Sequence, residues 1–378
     1  MGTHQGICMK GRVAVLKPGK RFELREFAVP DPEPGATIVR MSMAGVCGSD
    51  LHTWRGDHGD ARPISASGHL LGHEGTGVIH ALGSGLDTDF AGEPLREGDR
   101  VVFSAIRSCQ HCVFCLAGDE HLCSRRVLLN ARAKVAEPPY FVNTYADYVY
   151  LEPKHAIFKV APELADEELT AVNCAMGTVM QGLQSAGARQ GQTLVVQGAG
   201  GLGLYAIAIA KDMGLSSIVA VDSQRPRLEL AKELGAAETL DITEMPAAED
   251  RVNAVLRATG NRGADIVLEL AGFGELVQEG IDMLAPGGTY VEIGNLMQNR
   301  TATITPASLL RGKRILGSGM YRPAILPSIL DFLRRNHDVA ALRRVVSHKF
   351  PLANIDEAFR TSEWSGRDTP VIRSALIP

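Results

Sequence analysis

Two hydrophobic patterns divide the chain. Between residues 10 and 105, apolar and polar positions alternate in short stretches at 12–16, 37–44, 75–82 and 100–104, broken by Gly and Pro. A period of two sends successive side chains to opposite faces of a strand, so this region predicts irregular β-structure. Over 166–186 the period becomes helical. Asp166, Glu167 and Glu168 suit the positive end of a helix dipole there, and Gly187 suits its stop. From 192 to about 318, strand and helix patterns alternate. Strands are predicted at 193–197, 217–222, 239–241, 265–270, 289–293 and 314–318, and helices at 202–213, 226–234, 247–259 and 275–284. Alternating βα units build a parallel sheet covered on both faces. The tail after Pro323 is mixed and is expected to pack back on the first region. The fold class expected is α/β plus β, with a β-rich domain over 1–165, a doubly wound domain over 166–320 and a returning segment over 321–378.

Length and composition fit this picture. A chain of 378 residues suggests two domains and buries a large core. Its 39 basic and 43 acidic side chains leave a net charge of −4, with no basic excess to neutralise nucleic-acid phosphates or an anionic membrane. Neither is expected as a partner. A 45% hydrophobic and 22% charged content excludes global disorder. The longest apolar stretch, 194–210, is 17 residues and contains Gln197 and four glycines, which disfavours a membrane span. The opening M-G-T-H-Q-G-I-C lacks the layout of a signal peptide, and Gly6 stands where a myristoylation motif has Ser or Thr. A cytoplasmic protein with reduced thiols is the expectation.

Seven cysteines are present, and an odd count argues against a disulfide framework. Cys109, Cys112, Cys115 and Cys123 fall in one run with gaps of 2, 2 and 7. Such gaps let a turn present several thiolates to one ion, and four sulfurs complete a tetrahedron, so the run reads as a structural zinc site. An iron–sulfur cluster fits less well, because the last gap is 7 and Ser124 follows where that motif has Pro. His111 and His121 lie in the loop as alternative ligands, and Cys8, near the N-terminus, receives no role. Further on come Pro138-Pro139 and a run of tyrosines at 140, 145, 148 and 150.

The first strand of the α/β half leads into G-A-G-G-L-G, residues 198–203, and then a helix. Gly198, Gly200 and Gly203 match G-x-G-x-x-G, with Gly201 and Leu202 between them. The first glycine makes the tight turn, the second lets backbone approach a pyrophosphate, and the third lets helix and strand pack closely. Asp222 ends the second strand, where a carboxylate accepts the ribose hydroxyls and repels a 2′-phosphate, so NAD is favoured over NADP. Arg225 and Arg227 follow; they are cofactor contacts or ordinary solvent-facing helix charges.

Cys47 lies in C-G-S-D-L-H, His73 in G-H-E and Cys174 in the helical stretch before the glycine loop. Two thiolates and one imidazole would make a three-ligand zinc set with an open position, the layout of catalytic zinc, but they lie far apart in sequence and spacing alone does not assemble them. A His69–His73 pair is the alternative, disfavoured by Gly68, Gly72 and Gly75, which do not suit a helix.

Taken together, these motifs closely resemble the zinc-containing alcohol dehydrogenases of the medium-chain dehydrogenase/reductase family. The Cys47 motif, G-H-E, G-D-R-V at 98–101, the four-Cys loop and the glycine loop are all present, and the resemblance covers essentially the whole chain. It implies a GroES-like β-rich catalytic domain, a doubly wound Rossmann domain and an active site in the cleft between them. It also implies two zinc ions per chain. Cys47, His73 and Cys174 resemble the catalytic zinc ligands, and Cys109, Cys112, Cys115 and Cys123 the structural ones. Glu74 resembles an acid beside the metal, Asp50 the partner of the zinc histidine, and Ser49 and His52 the proton relay. Trp54 falls where some members place a substrate-pocket wall, or is a packing aromatic. Gly48 stands where some members have a phosphate-binding basic residue, and the stretches 64–71 and 125–144 look unusual.

The activity implied is reversible NAD-linked oxidation of an alcohol to an aldehyde or ketone, on a small-molecule substrate. A polyol, amino-alcohol or formaldehyde-adduct dehydrogenase is the nearest rival. A non-catalytic nucleotide sensor is the rival of another class, and a zinc-free quinone reductase is disfavoured by the ligands. The free edge of the sixth strand leads to the expectation of a homodimer or homotetramer.

Overall fold

The computed structural model describes residues 9–57, 64–129, 135, 137–294, 300–363 and 371–378; Cys8 and part of the 125–144 stretch lie outside them. Contacts divide these residues into two compact units. One contains the chain to Cys174 together with His348–Glu363 and Ser374–Pro378. The other runs from Ala175 to Ser347 and takes in residues 371–373.

The first unit begins with strands β1 (Lys10–Lys17), β2 (Arg21–Ala28) and β3 (Thr37–Gly45), then helix α1 (Gly48–Arg55). It continues through β4 (His69–Leu70), β5 (Thr76–Leu82), β6 (Arg100–Phe103), β7 (Ile106–Arg107), the one-turn α2 (Val113–Leu116), β8 (Val127–Leu128), β9 (Tyr148–Leu151), β10 (Ile157–Lys159) and α3 (Asp166–Leu169). Alternation turns the apolar side chains of these strands inward, so Val13, Val15, Ile38 and Leu70 meet Phe141 and Tyr148 in one core.

The helical stretch expected over 166–186 is interrupted. After α3 the chain makes a π-helical turn, Val172–Met176, before α4 (Gly177–Ser185) begins. The π turn carries Asn173, whose side chain bonds the backbone of the loop at 73–75 rather than solvent. Side-chain competition for backbone groups of this kind distorts a regular helix, and π turns concentrate at functional sites.

The second unit alternates as the pattern predicts: β11 (Thr193–Gln197), α5 (Gly201–Asp212), β12 (Ser217–Asp222), α6 (Arg225–Leu234), β13 (Glu238–Asp241), α7 (Ala248–Ala258), β14 (Ala264–Glu269), α8 (Leu276–Met283), β15 (Leu284–Glu292) and β16 (Arg314–Gly317). These strands form a parallel sheet in the order β13-β12-β11-β14-β15-β16. That order reverses between β11 and β14, and a doubly wound sheet takes its ligand at such a reversal. Helices α9 (Leu326–Arg335) and α10 (Ala340–Arg343) belong to this unit too. The unit therefore extends past residue 320. Tyr321 is fully buried, and a Cβ on Gly177 would lie 2.6 Å from its ring.

The chain then returns to the first unit as β17 (His348–Pro351), α11 (Ile355–Ser362) and β18 (Ser374–Ile377). There β18 pairs antiparallel with β3, at Ala375–Gly45 and Leu376–Ala44, and parallel with β17. The seven-stranded sheet reads β10-β6-β5-β3-β18-β17, with β9 also on β3. No helix among the described residues is long and apolar enough to cross a membrane.

Candidate active site and metal centres

Cys47 leaves the end of β3 and caps the N-terminus of α1. Its N–H donates to Asp50 Oδ2 at 3.2 Å, closing the first turn. A helix N-terminus favours a thiolate over a thiol. His73 sits in the loop between β4 and β5, and Cys174 in the π turn. Cys47 Sγ is 3.9 Å from Cys174 Sγ, and His73 Nε2 is 3.3 Å from the same sulfur. One donor atom each from Cys47, His73, Glu74 and Cys174 lies within 4.8 Å of the others. The expected triad is thus brought together with Glu74, whereas His69 belongs to β4 and is not in the cluster.

The electrostatics fit a cation. Burial alone would lower the His73 imidazole, but Asp50 and the Cys47 sulfur outweigh it and push it up to about 10. The Cys174 thiol is raised well above its ordinary range by Cys47 and by burial. Thiolates and a carboxylate this crowded draw in protons, and a soft divalent ion satisfies the same surplus of negative charge without them. The residues present fit zinc.

Asp50 backs the centre. It is 1% exposed; its Oδ1 lies 3.6 Å from His73 Nδ1 and accepts the Gly72 N–H at 3.2 Å, while its Oδ2 accepts the Tyr145 hydroxyl at 2.7 Å. Burial and the Asp50 charge hold Tyr145 as a protonated donor. Asn173 ties the Cys174 turn to the His73 loop: its Nδ2 donates to His73 O at 3.0 Å and its Oδ1 accepts the Gly75 N–H at 3.2 Å. Sequence reasoning assigned neither Tyr145 nor Asn173 a role. Both act across long sequence separations that no local spacing signals.

Ser49 and His52 lie on α1. His52 Nδ1 is 2.7 Å from Asp57 Oδ2 and 2.8 Å from Arg55 Nη2, and Arg55 also bonds Glu363. The buried Trp54 ring donates from Nε1 to Lys20 O, lies beneath Lys20 Nζ at 4.9 Å and packs against Phe359, the arrangement of a packing aromatic.

The second cluster holds Cys109, Cys112, Cys115 and Cys123, and neither His111 nor His121 belongs to it. The backbone N–H of His111 and the neighbouring thiols bring Cys109 down to about 6. Around these sulfurs Val113, Phe114, Leu116 and Leu122 are all exposed, so no apolar core holds the loop together. A closed set of four sulfurs fits a structural zinc.

In the second unit, Gly198 leaves β11 at φ +98°, a conformation that an L side chain rarely adopts. A Cβ on Gly203 would lie 2.0 Å from Gly198 O, so only glycine permits this approach. Gly200 caps α5, and Gly201 and Leu202 open its first turn. Asp222 Oδ2 accepts the Ala199 N–H at 2.7 Å, and its Oδ1 accepts Gln224 N at 2.8 Å. Arg227 Nη1 lies 3.9 Å from Asp222, while the exposed Arg225 pairs with Glu229. Arg373, which sequence reasoning missed, places Nη1 3.0 Å from where a Gly201 Cβ would sit, at the helix N-terminus suited to a pyrophosphate.

Comparisons with known proteins point to one family. Residues 33–162 match the family model described as the alcohol dehydrogenase GroES-like domain, and residues 201–335 match that of the zinc-binding dehydrogenases. A 5-exo-hydroxycamphor dehydrogenase of Pseudomonas putida is 33% identical, over 97% of this chain and 99% of its own. A D-xylulose reductase A of Aspergillus oryzae is 34% identical over 76% of this chain and 77% of its own. Among solved structures, an alcohol dehydrogenase from Thermotoga maritima superposes with a TM-score of 0.90 at 27% identity, covering 98% of this chain and all of that one.

Proposed function

The chain belongs to the zinc-dependent alcohol dehydrogenases of the medium-chain dehydrogenase/reductase family, and from that membership we propose that it oxidises a secondary alcohol reversibly to a ketone with NAD. Enzymes of this family act on CH–OH donors with zinc and a nicotinamide cofactor. The observation that carries the reading is the convergence of Cys47, His73, Glu74 and Cys174 on one point. The secondary alcohol is supported by two relatives' names, one a ring alcohol and the other a ketose. The xylulose reductases also favour a second reading, a polyol substrate.

Cys47, His73 and Cys174 would hold the catalytic zinc, with Glu74 beside it. Zinc supplies Lewis-acid polarisation of the substrate oxygen, and the nicotinamide supplies the hydride acceptor. Ser49 would take the hydroxyl proton, and His52, whose Nδ1 faces Asp57 and Arg55, would be the last group of the relay before solvent. Asp50 fixes the His73 ring. Gly198, Gly200 and Gly203 with the α5 N-terminus would cradle the pyrophosphate, with Arg373 and Arg227 as nearby cations and Asp222 on the ribose. We place the enzyme in a reducing, cytoplasmic setting, where thiols that would ligate zinc stay reduced. We also take it to be a homo-oligomer that pairs along β16, the sheet's edge strand.

The test is reduced-nicotinamide absorbance with NAD and with NADP across primary, secondary, cyclic and polyhydroxy alcohols, with metal content measured on the same sample. Reduction of NAD by secondary alcohols and two zinc ions per chain are expected. Silence across the panel from zinc-loaded protein would overturn the reading.

The sulfur loop gives a separate prediction. Because its apolar side chains are exposed, metal ligation is its main restraint. Cys112→Ser should speed hydrogen exchange over residues 109–123 by about tenfold or more, with β11–β16 unaffected. Exchange equal to that of the unsubstituted protein would mean that the loop is held by something other than metal.

A further inference from the structure

We propose that Tyr145 is a positioning residue of the catalytic metal centre, its hydroxyl fixing the Asp50 carboxylate in the orientation that presents Oδ1 to His73. This rests on the zinc-site reading above.

A carboxylate 1% exposed must be satisfied by donors on all sides. The two oxygens of Asp50 have different tasks. Oδ1 faces Gly72 N at 3.2 Å and His73 Nδ1 at 3.6 Å. Oδ2 faces Cys47 N at 3.2 Å and the Tyr145 hydroxyl at 2.7 Å, the shortest of the four. With Oδ2 pinned by a short charge-assisted bond, the carboxylate cannot rotate about its last torsion, and Oδ1 stays aimed at the imidazole. Without the hydroxyl, Oδ2 keeps only the longer bond to Cys47 N.

Tyr145 is itself immobile. It is fully buried, its ring meets Phe359 edge-on at 5.9 Å, and its backbone carbonyl accepts from Ala14 N at 2.9 Å. It also touches both ligand-bearing segments. Its hydroxyl lies 3.1 Å from Gly45 O, two residues before Cys47, and a Cβ on Gly72, just before His73, would come within 2.7 Å of its ring. The single hydroxyl proton goes to the charged, nearer acceptor, Asp50. A phenol on a rigid aromatic thus sets the angle of the His73 ring through Asp50. Partners of this kind shift metal affinity by about 10–100-fold when removed.

The experiment uses the full-length, zinc-loaded protein and its Tyr145→Phe variant, which removes one oxygen. Zinc release to a chromogenic chelator is followed at both centres, the four-cysteine loop serving as internal reference. Release from the Cys47–His73–Cys174 centre should accelerate about tenfold, with the reference rate unchanged. In protein carrying cobalt(II) at that centre, the visible absorption bands should shift. Phe359→Leu, which disturbs the same packing and spares the hydroxyl, should leave both readouts unchanged. Equal acceleration in the two variants would make Tyr145 a packing residue and overturn the proposal, as would unaltered release and spectrum in Tyr145→Phe. If Tyr145→Phe does not fold, 3-fluorotyrosine at position 145 replaces it. A cobalt spectrum that shifts supports the proposal, and one that does not overturns it. An unsubstituted protein with no metal at this centre would instead overturn the zinc-site reading on which the proposal depends.

Discussion

His73→Ala should lower alcohol-dependent NAD reduction by about three orders of magnitude or more, because the Lewis-acid contribution at stake is worth several kcal/mol and each ~1.4 kcal/mol is tenfold in rate. The fold should survive the change. Asp50 loses the imidazole but keeps the Cys47 and Gly72 amides and the Tyr145 hydroxyl, so no buried charge is stranded. NAD binding, read by quenching or calorimetry, should persist, since the glycine loop and Asp222 belong to the other unit. Cys47→Ala should behave alike, since the backbone N–H that bonds Asp50 at the α1 N-terminus is kept. Near-normal turnover in either variant would remove this centre from the chemistry.

The second large effect concerns the cofactor. Asp222→Gly should raise the NADP-to-NAD ratio of kcat/KM by about a hundredfold, because facing a carboxylate against a 2′-phosphate costs several kcal/mol. The nearby Arg227 guanidinium, 3.9 Å from Asp222, would then be available to the phosphate. Use of NAD should weaken as well. Asp222 also accepts the Ala199 amide inside the glycine loop, and leaving that buried donor unpaired costs about 1–3 kcal/mol. The ratio is therefore the quantity to measure, since absolute rates mix two roles. A ratio that does not move would take selectivity away from Asp222.

How much of this could be read from the chain depended on the range of each interaction. Strands β11, β12 and β14 and their helices are local consequences of apolar runs between glycines, and the pattern placed them within a residue or two. The glycine loop and Asp222 carry fixed spacing, and so do the four cysteines of the loop. Cys47, His73 and Cys174 do not; the resemblance supplied them, and the fold supplied their convergence. The break in the 166–186 helix had no local signal. It arises because Asn173 bonds a loop 100 residues earlier in sequence. Tyr145, 95 residues from Asp50, was one tyrosine in a run of four until the fold brought its hydroxyl to that carboxylate. Arg373 was likewise unremarkable, an isolated cation until the fold set it against Gly201.

The returning strand β18 has a consequence for the order in which the two halves are completed on the ribosome. It pairs with β3 at Gly45 and Ala44, and the Val46 amide beside Cys47 donates to Ser374 O at 2.9 Å. Translation delivers Ser374 only after every strand of the nucleotide-binding sheet has emerged. A nascent chain can therefore own the whole six-stranded nucleotide-binding sheet while the sheet that seats Cys47 still has an open edge. Chains that stop short of Ser374 would carry that parallel sheet but leave the β3 flank beside Cys47 unpaired, exposed to aggregation and to proteases.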